Sequence, residues 1–234
     1  MHRRYLKEDH KQNFAVKIIE KKSLTPRLFN NLKNEINILA KINSSNVIRL
    51  HDIQRTENRF YLIMELCNAG DIENLKDLRG GRFNELEARI ILRQLVEGFK
   101  EIYKQQVMHR DLKLANLLLN LPEYPFDLGI KGPLKAQRKQ QIDDLLKNLD
   151  ITVPGRIQVK IADLGFAREL NYEDLSETMC GTPLVMAPEV LNGKRYNHKA
   201  DVWSLGIVFF EMLVGFTPFT GRDKPDLKRN LEKG

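Results

Sequence analysis

The stretch VMHRDLKLANLLLN, residues 107–120, decides how the rest of this chain is read. Its flanks, Val107-Met108 and Leu117-Leu118-Leu119, read as short buried segments. Between them lie His109, Arg110, Asp111, Lys113 and Asn116, five polar groups that a packed interior rejects unless each has a partner. The stretch therefore reads as a loop held by its apolar ends, with side chains that do something other than fill a core.

Upstream, NELEARIILRQLVEGFKEIYK carries apolar residues at helical spacing and runs up to the loop. Before it, NVIRLHDI and RFYLIMEL read as two strands joined by the polar turn QRTEN. A helix precedes these, with Thr25 as N-cap, Pro26 in the first turn, and Leu28, Leu32, Ile36 and Leu39 at three- and four-residue steps. NFAVKIIEK at the start reads as a strand with Ala15, Lys17 and Ile19 on one face, and Val16 and Ile18 on the other. Downstream, RIQVKIADLGFA supplies a further strand and the apolar run at 201–214 a buried core helix. Residues 121–156 between them look inserted. Their first part, LPEYPFDLGIKGP, is turn-rich, whereas LKAQRKQQIDDLLKNL places Ile142, Leu145, Leu146 and Leu149 on one helical face.

Composition narrows the class. With 234 residues, 42% hydrophobic and 29% charged, the chain has the balance of a soluble globular protein. Cys67 and Cys180 cannot make a disulfide framework and lack metal-ligand spacing, which points to a reducing, cytoplasmic setting. MHRRYLKEDHKQN lacks the apolar core of a signal peptide, and its acidic residues argue against a transit peptide. The longest apolar run, VWSLGIVFFEMLVGF, is interrupted by Ser204 and Glu211 and is too short to span a bilayer. The net charge of +7 is dispersed, so a nucleic-acid partner rests on charge alone and no motif supports it.

Two charges inside apolar patterns need an account. Glu35 falls within the stripe of its helix and Lys17 within an apolar strand. A lone buried charge is costly and a paired one tolerable, so the two either meet or each reach water at the edge of an element. The residues alone leave that choice open.

HRDLKLAN matches the pattern H-R-D-L-x-x-x-N. With Lys113 counted as a sixth fixed letter, such a match arises by chance roughly once in tens of millions of positions, each letter being about one in 20. FAVK at 14–17, DLG at 163–165, APE at 187–189 and DVWSLG at 201–206 follow in order. Over essentially its whole length apart from the insertion, the chain resembles a eukaryotic protein kinase of the serine/threonine type. That resemblance implies an α+β, two-lobed fold in a single domain over 1–234. Residues 1–66 would form a small antiparallel β-sheet lobe with one helix, and 67–234 a larger helical lobe interrupted by the insertion.

The resemblance also implies roles. ATP and Mg2+ would be bound and a γ-phosphoryl group passed to protein Ser/Thr hydroxyls, work that rests on positioning and charge neutralisation. Lys17 would grip the α- and β-phosphates, with Glu35 holding it; Asp163 and Asn116 would ligate magnesium. Asp111 would accept the hydroxyl proton and Lys113 neutralise the transferred phosphate, and Lys113 with Thr182 points to serine/threonine rather than tyrosine acceptors. On the adenine side Met64 would be the gatekeeper, Glu65 and Cys67 would offer hinge backbone groups, Ala15 and Leu118 would sandwich the base, and Asp71 would reach the ribose. His109, Leu164, Leu39 and Leu50 would stack as a column joining the lobes, with Asp201 anchoring the histidine's backbone. DLG stands where DFG is commoner, and its leucine keeps the column apolar.

Regulation would centre on Thr178, whose phosphate could pair with Arg110 and Arg168. Within the superfamily, GFAREL, MCGTPLVMAPEVL and GFTPF look closest to the autophagy-initiating ULK-type kinases, with calcium/calmodulin-dependent kinases as neighbours. Two departures stand out. No glycine precedes Lys17, so the G-x-G-x-x-G phosphate lid is missing, and the chain stops where further large-lobe helices would follow. An exposed phosphate site binds nucleotide weakly, so this chain is expected to be feeble or inactive while the full-length gene product is active. The alternative from another class is a catalytically silent scaffold that engages a regulatory partner through the insertion's amphipathic helix.

Overall fold

Extended, branched residues and capped amphipathic segments alternate through the first third of the chain. In the computed structural model, which describes residues 13–124, 134–164, 168–169 and 182–233, they build a small sheet backed by one helix. Strand β1 (Phe14–Glu20) leads into helix α1 (Pro26–Lys41), whose N-cap Thr25 accepts a hydrogen bond from the Leu28 amide at 3.3 Å, with Pro26 in the first turn. Strands β2 (Leu50–Arg55) and β3 (Arg59–Glu65) complete an antiparallel sheet of order β1-β3-β2. Helix α1 buries Leu32, Glu35, Ile38 and Leu39, whereas Leu28, which the periodicity puts on the same stripe, is 47% exposed.

The reading of 46–53 as one strand needs correction. Strand β2 starts at Leu50, because Val47 and Ile48 pair with Ile161 of the larger lobe instead of with β3. The Ile48 amide donates to the Ile161 carbonyl at 2.9 Å, and the Ile161 amide donates to the Asn46 carbonyl at 2.8 Å. Both side chains are buried there, so the backbone keeps its hydrogen bonds while changing partners.

The larger lobe is built on helices α2 (Ile72–Leu78) and α3 (Glu85–Lys104). Asp71 caps the first, and a reciprocal Asn84–Glu87 capping box opens the second. Strands β4 (Val107–Met108) and β5 (Leu117–Asn120) flank the polar loop; β5 pairs with β6 (Gln158–Ile161), and β4 with β7 (Arg168–Glu169). Helices α5 (Pro188–Leu191), α6 (Lys199–Val214) and α7 (Lys224–Lys233) follow. Helix α6 is a core helix on one face only: Ile207, Val208 and Met212 are buried, while Val202 is 63% exposed and Phe210 37%. Among the described residues no helix is long and apolar enough to cross a membrane.

Helix α4 (Leu134–Asn148) lies against α2. Leu146 and Leu149 are buried, and Ile142 and Leu145 pack on the same core. Arg79 donates to the Leu146 carbonyl at 2.9 Å and to the Leu149 carbonyl, and pairs with Glu87 at 2.7 Å. One guanidinium thus fastens the end of α4 to the start of α3.

Glycine matters most at position 98, where α3 abuts the loop after α1. A Cβ there would lie 2.7 Å from the Asn46 carbonyl oxygen and 2.8 Å from Ile161 Cδ1. That carbonyl already accepts the Ile161 amide and cannot easily move. Gly98→Ala is therefore expected to destabilise the fold by about 1–2 kcal/mol, the overpacking outweighing the roughly 1 kcal/mol by which alanine favours helix. Chemical denaturation of the two proteins checks the sign.

Candidate active site

The loop between β4 and β5 takes its shape from a buried carboxylate. Asp201, near the start of α6, accepts the His109 amide through Oδ2 at 2.8 Å and the Arg110 amide through Oδ1 at 2.9 Å. Burial pushes this carboxyl's pKa up, against the pull of the two backbone donors and of the Arg110 charge. Arg110 adopts a positive φ of 70°, a strained conformation that the two anchored amides hold in place. His109 is fully buried. Its Nδ1 accepts the Asp111 amide at 3.3 Å, so Nε2 carries the proton and donates to the Ala162 carbonyl at 3.0 Å. That assignment makes the ring a neutral strut. Leu39 and Leu164 are buried, and Leu50 packs against the same core.

Asp111 follows directly. Its Oδ1 accepts the Thr182 amide at 2.7 Å and the Thr182 hydroxyl at 2.8 Å. Lys113 Nζ lies 3.4 Å from Asp111 Oδ2 and donates to Thr182 Oγ1 at 3.1 Å. Asn116 Nδ2 reaches the Asp111 carbonyl at 2.8 Å and Oδ2 at 3.2 Å. Burial alone would raise the Asp111 carboxyl, but the Thr182 hydrogen bonds and the Lys113 charge outweigh it and hold the pKa below its ordinary value. The result is a carboxylate that stays ionised at neutral pH beside a lysine.

Across the cleft, Lys17 and Glu35 meet: Nζ lies 2.7 Å from Glu35 Oε1. The pairing that composition left open is formed because α1 buries Glu35 on the face turned to β1, where Lys17 sits opposite Leu62 of β3. The same ammonium lies 3.7 Å from Asp163 Oδ1. Asp163 has φ of 62° and a side chain 47% exposed, unlike its buried neighbour Leu164.

The Ala162 amide donates to the Asn116 carbonyl at 2.9 Å, which ties the residue before Asp163 to Asn116. With Nδ2 of Asn116 committed to Asp111, its amide oxygen is the donor left to offer a cation. Among the described residues no cluster of three or more His, Cys, Asp or Glu forms a metal cage. One carboxylate and one amide oxygen instead suit a hard cation that brings phosphate oxygens and waters as its remaining ligands, as magnesium does.

On the opposite side, Ala15 pairs with Met64 in the β1–β3 register, and both are buried. Glu65 ends β3, and its carboxylate meets Lys160 at 2.8 Å. Cys67 is a free thiol whose pKa is pushed up to about 12, mainly by burial and further by Glu65, with Lys160 opposing. It stays protonated at neutral pH, so any part it takes is through its backbone. Asp71 bridges to Leu118, and its Oδ1 is engaged by the Asn74 amide at 2.8 Å in capping α2.

Thr178 lies outside the described residues, as does the side chain of Arg168. The Arg110 guanidinium carbon lies 5.9 Å from the centre of the Tyr196 ring. Sequence reading missed Lys160 and Asn46. Both are buried, and Lys160, between Val159 and Ile161, carries the same signal that singled out Lys17, whereas Asn46 follows Ser44 and Ser45 and has no such signal. Asn46 Nδ2 donates to the Val159 carbonyl at 2.9 Å.

A family model described as protein kinase domain matches residues 3–233. The serine/threonine-protein kinase ATG1 of Mycosarcoma maydis is 35% identical over 94% of this chain and 23% of its own length. The corresponding figures for serine/threonine-protein kinase ATG1a of Arabidopsis thaliana are 36%, 93% and 30%. For serine/threonine-protein kinase ULK1 of Homo sapiens they are 35%, 97% and 19%. The chain therefore spans between 19% and 30% of the length of these curated relatives.

Proposed function

The chain belongs to the protein kinase family, and from that premise we propose that residues 1–234 form one catalytic domain that transfers the γ-phosphoryl group of ATP to serine or threonine hydroxyls. The observation that carries this reading is the Asp111–Lys113–Thr182 cluster, a carboxylate kept ionised within 3.4 Å of a lysine.

The transfer breaks the bond between the γ-phosphorus and the oxygen that leaves with ADP, and forms one to the acceptor oxygen. Asp111 orients the acceptor hydroxyl and takes its proton. Lys113, already hydrogen-bonded to Thr182, supplies positive charge to the moving phosphoryl group. Lys17, held by Glu35, binds the α- and β-phosphates. Asp163 and Asn116 would hold magnesium, which when bound neutralises phosphate charge. Ala15 and Leu118 flank the adenine, Glu65 and Cys67 offer it backbone groups, and Asp71 lies beside the ribose.

We place the protein's work in the cytoplasm, a reducing compartment that suits the free thiol Cys67. A regulatory partner at the insertion would read the exposed polar side of α4, including Lys139, Asp144 and Lys147, because Leu146 and Leu149 are committed to the large lobe.

Isothermal titration tests the nucleotide site. Mg·ATP is expected to bind residues 1–234, with affinity lost on adding EDTA and reduced about tenfold or more in Lys17→Met, which removes the charge at the phosphates. Equal binding by parent and Lys17→Met, unaffected by EDTA, overturns the assignment.

A further inference from the structure

Lys160 sits in the middle of β6, flanked by the buried Val159 and Ile161. Its side chain is 4% exposed, far less than the 33% of Lys17. A buried ammonium is costly unless its geometry is well satisfied, and an apolar side chain would pack in such a strand at no electrostatic cost. What satisfies this one is informative. Its Nζ lies 2.8 Å from Glu65 Oε1 and donates to the Ser45 carbonyl at 2.7 Å.

These contacts join three segments that the proposed reaction needs in register. Glu65 closes β3 where the chain leaves the small lobe, and its Oε2 accepts the Arg49 amide at 3.3 Å while its own amide donates to the Arg49 carbonyl at 2.9 Å. Ser45 belongs to the loop that leaves α1, the helix carrying Glu35. Lys160 itself is three residues before Asp163 on the same segment. One ammonium thus touches the hinge, the loop behind the Lys17 partner, and the strand leading to the cation ligand. Asn46 adds a parallel tie through Val159, so the joint is held at two points.

We propose that Lys160 is a positioning residue for the nucleotide: through Glu65 it fixes the hinge backbone against the larger lobe, in the place where adenine docks. It touches no substrate, and the inference rests on the nucleotide-site reading above. If Lys160 were only a packed ion pair, its loss would lower stability and leave the folded protein's affinity for both ligands unchanged.

The test compares adenosine, which makes only hinge-side contacts, with Mg·ATP, each titrated against residues 1–234. Lys160→Met is expected to weaken both ligands by the same factor, about tenfold, because the displaced hinge serves both. Lys17→Met is expected to weaken Mg·ATP and leave adenosine unchanged. Glu65→Gln is the second variant, which keeps an amide oxygen to accept from the buried Lys160; it too is expected to weaken adenosine, and the double variant no more than Lys160→Met alone. Thermal melts check that each variant is folded at the titration temperature. If the parent binds both ligands and Lys160→Met binds adenosine equally well, or if the two substitutions simply multiply, the positioning role is wrong and the nucleotide site stands. If the parent binds neither ligand, the nucleotide site itself is wrong and the inference falls with it.

Discussion

Asp111→Asn is expected to slow phosphoryl transfer about a thousandfold, within the 10²–10⁴ that a positioned base supplies, while changing Mg·ATP affinity by less than about threefold. Asparagine keeps an oxygen for the Thr182 amide and hydroxyl, which lie 2.7 and 2.8 Å from the carboxylate. It cannot take a proton, and its NH2 group would face Lys113 Nζ or Asn116 Nδ2, both donors. Single-turnover transfer from γ-labelled ATP with protein in excess reads even weak activity. The pH dependence adds a second check. The Asp111 carboxyl is held below its ordinary pKa, so it is ionised across neutral pH and its contribution is lost only as pH falls through that lowered value. A drop in rate between about pH 8 and pH 6 would therefore not be the titration of Asp111.

Asp201→Ala is expected to give the largest loss of stability of any single change in the loop. Two buried backbone donors, the His109 and Arg110 amides, would lose their acceptor, at about 1–3 kcal/mol each. The positive φ of Arg110 would also lose what holds it. A total of about 3 kcal/mol lowers Tm by roughly 6–12 °C for a chain of this size. Asp201→Asn, which keeps one acceptor oxygen, should fall between parent and alanine. Calorimetry on the three proteins gives the order. Equal melting of Asp201→Ala and parent would mean that the carboxylate does not set the loop.

Local signals carried much of this architecture. Thr25 and Pro26 announced α1 because capping is short-range chemistry, and apolar spacing announced α3, whereas its Asn84 cap emerged only with the structure. The spacing of Ile142, Leu145, Leu146 and Leu149 announced the inward face of α4 but not its partner, since nothing local names α2 or the Arg79 clasp. Val47 and Ile48 read as strand for the same reason: branched residues favour extended backbone, and only the fold reveals that Ile161 is their partner. An apolar run broken only at Ser204 and Glu211 could not show which face of α6 is covered, so Val202 and Phe210 read as core although they are exposed.

The candidate site divides along the same line. HRDLKLAN placed Asp111, Lys113 and Asn116 because those residues are neighbours in sequence. Lys17 with Glu35, and Lys160 with Glu65, are pairs made by tertiary structure. In sequence each lysine reads equally well as one that reaches for water. The family pattern supplied the first pair, and only the three-dimensional arrangement exposes the second.

Phosphoamino-acid analysis tests the central claim most directly. A mixed protein substrate is incubated with Mg2+ and γ-labelled ATP, once with the parent chain and once with Lys17→Met, then hydrolysed. Label, however faint, on phosphoserine or phosphothreonine with the parent, and none with Lys17→Met, is the predicted result. Label on phosphotyrosine, or equal label from both proteins, would contradict it.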